Sequence, residues 1–383
     1  MTHIKSRISN LILPVSKKNP SVFPANVFTY VDINSVDASQ KRITDPKIIP
    51  CSSAPSRARQ LLQSEDILVS TVRPNLNCVA YVPCELDGAI ASTGFCVLRP
   101  DNQSLNSRYL YHWVQTRAFI GEMISKATGA SYPAVSDSII HASEIPLPPL
   151  EEQRRIAAIL DKADELEKLS KSAIEFFHQA LSSSFNSLTI STSKGCYSKK
   201  LENIVSAIID YRGKSPEKTD KGVPLITAQL IKEGRILKAT EFIAHEHYSE
   251  WMRRGLPERG DVIFTTEAPL GQVAQIDNPD VALAQRLVLL RGKSNLIDNT
   301  YLRFALRMNY VTRQIRKRAT GSTVLGIRQK ELRQIEIPLP SISEQRIFAR
   351  LALAIEEKIQ QLRKRGEVVK ALRSALASQF MKA

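Results

Sequence analysis

Several short stretches of this chain carry residue types capable of chemistry. Gly213-Lys214-Ser215 and Gly292-Lys293-Ser294 have the glycine–lysine–hydroxyl order that closes a phosphate-binding loop. That loop also needs an earlier glycine, and the positions concerned are Ile208 and Leu287, so the backbone cradle is missing. No G-x-G-x-x-G follows a strand, which excludes the usual cradle for a dinucleotide or adenosyl cofactor. A magnesium nuclease needs clustered carboxylates. Glu356-Glu357-Lys358 offers acid-x-lysine spacing, but on a helical stretch far in sequence from Pro100-Asp101 and Pro279-Asp280. Asn19-Pro20-Ser21-Val22-Phe23 lacks the second proline of the N-P-P-F loop of adenine methyltransferases. His245-Glu246-His247 could touch a metal, but no third ligand is evident and an exposed loop is expected. The sequence therefore predicts no catalytic residue, no bound cofactor and no metal.

What remains is polyanion chemistry. The chain has a net charge of +15 and a pI near 9.6, a balance that points to nucleic acid. The excess is uneven: residues 195–340 hold 24 basic and 16 acidic groups, whereas 151–194 hold 6 and 7. Contacts to DNA divide into phosphate positioning and base reading. For positioning, the candidates are Arg313, Arg316, Lys317 and Arg318, running into Thr320-Gly321-Ser322. Their counterparts are Arg117 and Lys126 with Thr128-Gly129-Ala130-Ser131-Tyr132. For base reading, Arg212, Lys214 and Gln229 are candidates in the second half, because arginine or lysine addresses guanine and glutamine adenine. Arg73, Asn75 and Asn77 form a polar loop after a strand in the first half.

The elements that position these residues occur twice. Glu144-Ile145-Pro146-Leu147-Pro148 with Glu152-Gln153-Arg154 returns 192 residues later as Glu336-Ile337-Pro338-Leu339-Pro340 with Glu344-Gln345-Arg346. Ala127-Thr128-Gly129 and Tyr109-Leu110 repeat at the same offset, while Asp66 to Pro74 matches Asp261 to Pro269 at 195, so a small indel separates the copies. Such a period is too long for a solenoid and fits a whole domain followed by a helix. Strands are expected at 66–72 and 94–98, then a helix over 107–124. The second copy repeats the order with strands at 261–266 and 287–290 and a helix from about 300 to 318. Of the first helix, Tyr111, Val114, Ala118 and Met123 are available to a core.

Apolar residues in 151–184 (Ile156, Ile159, Ala163, Leu166, Ala173, Phe177, Ala180) and in 343–380 (Phe348, Ile355, Leu362, Val369, Leu376) keep heptad spacing, the pattern of helices packed lengthwise. They span about 50 and 57 Å. The expected fold class is α+β, with two similar domains (1–148 and 195–340) separated by two long antiparallel coiled-coil helices (149–190 and 341–383). Antiparallel pairing would hold the copies at the ends of a rod; the alternative is that each helix packs on its own domain. Five cysteines without a C-x-x-C pair read as reduced, mostly buried thiols. No leader and no membrane span is expected, which places the chain in the cytoplasm.

Two copies of I-P-L-P…E-Q at domain spacing, on a basic chain with long helices and no catalytic motif, closely resemble the specificity subunit of type I restriction–modification systems. Tyr211-Arg212-Gly213-Lys214-Ser215-Pro216 followed by Gly222-Val223-Pro224-Leu225-Ile226 resembles the start of a target recognition domain in that family. The first copy lacks this segment and opens with Phe28-Thr29-Tyr30-Val31-Asp32-Ile33. The resemblance implies that each domain reads a short half-site of double-stranded DNA, together defining a bipartite, asymmetric target with a nonspecific gap. It implies that the helices set the gap and dock two methyltransferase subunits, and that restriction/translocase subunits join to cut. S-adenosylmethionine, ATP and Mg then belong to the partners. A free-standing regulator binding two half-sites without enzymes is the competing reading, and magnesium-dependent cutting by the chain alone would establish a third, a nuclease.

Overall fold

The repeat is drawn in backbone hydrogen bonds. In a computed structural model, which describes residues 4–23, 25–190, 197–211 and 215–381, Lys5–Arg7 pairs antiparallel with Glu144–Pro146. Tyr197–Lys200 pairs in the same way with Glu336–Leu339. Each copy is thus closed by a strand from its start laid on the I-P-L-P strand at its end. The prolines are tolerated because these are two-stranded ribbons with open edges.

Beside two-stranded ribbons, each copy holds two larger sheets among the described residues. In the first, Ile12–Leu13, Phe95–Pro100, Ile67–Ser70 and Val79–Tyr81 lie side by side; in the second, Val205–Asp210, Leu287–Gly292, Val262–Thr265 and Val273–Gln275 keep the same order. The other sheet centres on a parallel pair, Val27–Val31 with Ile90–Ser92 in one copy and Val223–Ile226 with Ala282–Leu283 in the other. The central strands Ile67–Ser70 and Val262–Thr265 are buried along their length, and so read as unbroken apolar runs without alternation.

An ion pair recurs between the copies. Arg99 donates from Nε and Nη2 to the two carboxylate oxygens of Asp66 at 2.9 and 2.8 Å, and to the Leu61 carbonyl. Arg291 does the same to Asp261 at 2.9 and 2.7 Å, and to the Leu256 carbonyl. Each aspartate also accepts a backbone N–H three residues upstream. A bidentate, hydrogen-bonded pair with both aspartates buried is the arrangement in which a buried charge is tolerated.

The helix expected over 107–124 is two helices, Ser107–Trp113 and Arg117–Lys126. Thr116 breaks it: its hydroxyl accepts from the Phe119 N–H and donates to the Trp113 carbonyl, the work of an N-cap. The second copy divides likewise into Asn299–Ala305 and Asn309–Arg318. Tyr111, Val114 and Met123 are buried as expected, but Ala118 faces solvent because the break rotates the second segment.

The long helices run over Leu150–Ile190 and Ile342–Phe380, and the chain forms two compact units that cut across both. The first unit takes residues up to Lys171 together with Lys364 onward; the second takes Ser172–Arg363. Within the first unit, Ile156, Ala157 and Leu160 join the domain core, and Phe380 at the end of the other helix and Met381 just after it close it. These two segments run antiparallel, since Arg155 faces the Phe380 ring while Asp164 pairs with Arg373. Within the second unit, Leu181 and Phe185 join Phe348, Ala352, Ile355 and Ile359, and Phe185 stacks on Tyr301 with ring centroids 5.8 Å apart. Phe348 and Ile355 are buried, whereas Leu166, expected on the seam, is 43% exposed.

The E-Q of the repeated motif has a structural role. Gln153, buried, donates to the Ser104 and Pro148 carbonyls and accepts from the Asn106 N–H. Gln345 repeats all three bonds with Leu296, Pro340 and Asp298. Tyr109 and Tyr301 complete the joint by donating to the Pro146 and Pro338 carbonyls. Ser341 and Glu344 form a capping box at the start of the second long helix.

Candidate nucleic-acid interface

The first copy brings two of its predicted segments together. Val72 and Thr128 both bridge to Ala134, and the Arg73 N–H donates to the Pro133 carbonyl. The Arg73 guanidinium sits 4.6 Å from the centroid of the Tyr132 ring, a cation–π contact that holds both side chains at the surface. Asn75 is exposed beside them. Asn77 has a left-handed backbone (φ 46), and its carbonyl accepts from the Lys41 ammonium. Gly129 needs its positive φ of 99, because a Cβ there would lie 3.0 Å from the Tyr132 carbonyl oxygen. Thr128 and Ser131 stand exposed on the same turn.

Arg117 does not join this cluster. It opens the helix that Lys126 ends, about 13 Å away along the axis. Lys126 itself is paired with Glu122 at 2.6 Å.

In the second copy, Arg313, Arg316 and Lys317 are exposed, Arg318 partly so, and none of the four has an ion-pair partner among the described residues. They lead into the exposed Thr320-Gly321-Ser322 turn, closed by the Thr320–Gly326 bridge. A Cβ on Gly321 (φ 116) would come within 2.1 Å of the Val324 carbonyl oxygen, so that turn admits only glycine. Tyr211, expected at the interface, is instead buried, its hydroxyl donating to the Gly255 carbonyl. Arg212, Gly213 and Lys214 lie outside the described residues. Gln229 is exposed on the short turn Ala228–Leu230 and borders a recess of about 200 Å³ with Ala268, Gln285 and Arg286.

Other polar groups turn out to fasten helices. His112 is buried with Nε2 2.7 Å from Asp161, which also binds Arg108. Burial pushes the His112 pKa down against the pull of Asp161. Burial works to raise the Asp161 carboxyl, but hydrogen bonds from His112 and Arg108 outweigh it and hold the pKa at about 2. In the second unit, Glu356 accepts from Arg303 and Arg307, so its acid-x-lysine spacing serves a salt bridge. His245-Glu246-His247 opens a short exposed helix, not a loop. Among the described residues no group of three His, Cys, Asp or Glu side chains is placed to hold a metal, and no helix is long and apolar enough to cross a membrane.

The pattern of the type I restriction modification DNA specificity domain matches residues 56–175 and 198–370, one match in each copy. The chain belongs to that family. It is similar to the specificity subunit of the type I restriction enzyme MjaVIII of Methanocaldococcus jannaschii, with 26% identity over 73% of this chain and 70% of the relative. A structure described as the basis of complex assembly and conformational transition of a type I restriction–modification system aligns over 99% of this chain and 97% of its own, at 25% identity and a TM-score of 0.56. The S subunit from M. genitalium shares the fold, with a TM-score of 0.63 at 16% identity over 99% of this chain and 96% of its own. The chain is thus the DNA-recognition subunit of a type I system, an α+β protein with two similar domains and two long antiparallel helices, and not itself an enzyme.

Gln285 and Arg286, which border the same recess as Gln229, sit in a turn between two strands and match no sequence motif. At the repeat offset of 192 they correspond to Thr93 and Gly94.

Proposed function

We propose that each copy reads one half of a bipartite, asymmetric DNA target and that the two long helices fix the gap between the halves. The observation that carries this is one frame built twice, with the same fasteners (Asp66–Arg99 and Asp261–Arg291, Gln153 and Gln345) and different exposed polar residues. A duplicated frame with matching readers would serve a palindrome; unlike readers serve an asymmetric site. Residues 1–148 and 195–340 are the two recognition domains in this reading, and 149–190 and 341–383 the spacers. Arg313, Arg316, Lys317, Lys126 and the turns at Thr128 and Thr320 hold phosphates, while the Arg73 loop and Gln229 face bases.

Two methyltransferase subunits dock on the helices, restriction subunits complete the cutting assembly, and the whole acts in the cytoplasm. Methyl transfer and ATP-driven translocation belong to those partners. Replacing residues 1–148 with the matching domain of a relative, followed by methylome sequencing beside the cognate methyltransferase subunit, tests the reading. One half of the methylated site should change while the other half persists; a change in both halves refutes independent readers.

A further inference from the structure

The parallel strand pair gives both copies a common measuring point. Tyr30 and Val31 align with Ile90 and Ala91 in the first, and Leu225 and Ile226 with Ala282 and Leu283 in the second. Beyond these strand ends the backbones continue alike. Thr71 donates from N–H and hydroxyl to the Gly94 carbonyl at 3.0 and 2.9 Å. Thr266 donates from the same two groups to the Arg286 carbonyl at 3.0 and 3.2 Å. Gly94 and Arg286 therefore occupy one position of the frame.

What fills that position differs. A Cβ on Gly94 would lie 2.9 Å from Cδ1 of Ile33, so Ile33 occupies the space a side chain there would enter and would have to move to admit one. The residue matching Ile33 is Ala228, buried and small, and beside it stand Arg286 and the recess of about 200 Å³. The reverse exchange occurs at the left-handed residue after the central strand, which is Arg73 (φ 51) in the first copy and Ala268 (φ 46) in the second. Each copy thus mounts an arginine at this strand-end surface, but at a different place.

We propose that Arg286, supported by Gln285 and Gln229, is the base-reading set of the second domain, and that Arg286 addresses a guanine. In the first domain Asn34 and Thr93 hold the places of Gln229 and Gln285, Gly94 that of Arg286, and Arg73, at the place of Ala268, supplies the arginine. This rests on the bipartite-reader function above and names the residues that carry it. Arg286 has its Nε 3.0 Å from a Glu267 carboxylate oxygen. Its other N–H groups have no partner among the described residues, so the guanidinium is oriented with its outer edge free for the O6 and N7 of guanine. Gln285 is held through Nε2 by the Ser215 hydroxyl at 3.1 Å, leaving its amide oxygen to accept. The carboxylates of Glu267 and Glu241 flank this surface.

The test uses the full chain with its cognate methyltransferase subunits, bearing Arg286→Ala, Arg286→Lys or Gln285→Ala, with methylome sequencing and competition binding to DNA carrying single-base changes. Arg286 is exposed, so neither change threatens folding. Both Arg286 variants should lose roughly 10- to 100-fold in discrimination at one base pair of one half-site, since a lysine cannot reproduce the fork. The other half-site should keep full stringency. Full stringency at every position in all variants overturns the proposal. So does a uniform loss of affinity with a shallower salt dependence that Arg286→Lys restores, the signature of a phosphate contact. A wild-type methylome without a bipartite site would instead overturn the function on which the proposal rests.

Discussion

Replacing Gln153 by alanine isolates the fastener that joins domain and helix in the first unit. The side chain is 1% exposed. Its removal strands the Asn106 N–H, bonded at 2.8 Å, and the Ser104 and Pro148 carbonyls, bonded at 3.1 and 2.9 Å. Each orphaned buried group costs about 1–3 kcal/mol. Both carbonyls keep a second lone pair, so we expect a loss of about 3–5 kcal/mol for that unit. With an m-value of about 2 kcal/mol per molar, the urea midpoint falls by about 1.5–2.5 M. The chain has two tryptophans, Trp113 in the first unit and Trp251 in the second. In a Trp251→Phe background, fluorescence therefore reports the unit that Gln153 fastens. A midpoint shift below about 0.5 M, equivalent to about 1 kcal/mol, would show that the repeated glutamine does not fasten the helix and refute the reasoning.

Four further outcomes follow from the same geometry. An unfolded imidazole takes up its proton near 6.5 while buried His112 resists it, so the unfolded state binds more protons as pH falls below 6.5 and stability declines there. His112→Gln should flatten the dependence of melting temperature on pH between 7.5 and 5.5, and an unchanged slope would count against it. Gly321→Ala should lower the melting temperature because its Cβ meets the Val324 carbonyl, whereas Gly366→Ala, in open space mid-helix, should stabilise by up to about 1 kcal/mol; calorimetry of the pair distinguishes them, and equal signs would be contrary. Removing Arg313, Arg316 and Lys317 together should make the slope of log K against log salt shallower by about 0.9 for each phosphate no longer neutralised, so an unaltered slope would place the phosphates elsewhere. Inserting four residues near Lys168 lengthens that helix by about 6 Å; methylome sequencing should then show the same half-sites at a changed gap, and an unchanged gap would mean that the helices do not set the spacing.

The repeat and the long helices were legible in the sequence because heptads and the I-P-L-P…E-Q motif are local signals that survive divergence. The break at Thr116 was not, since the apolar spacing of Ser107–Trp113 continues in phase into the next helix and a threonine caps only once its neighbours are placed. Tyr211 shows the opposite error: an aromatic in a basic segment invites an interface role, but its ring closes a core and its hydroxyl is spent on Gly255. The readers at Gln285 and Arg286 stand out only when strand ends separated by tens of residues are brought side by side.

The division of each long helix between two cores also bears on how the chain is made. The first unit is sealed by Phe380 and Met381, which leave the ribosome long after its strands and short helices. During synthesis that domain must wait with one end of its core uncovered, while the second unit, which draws on nothing beyond Arg363, has all its parts first. The copy encoded first is therefore the copy whose last parts are synthesised last.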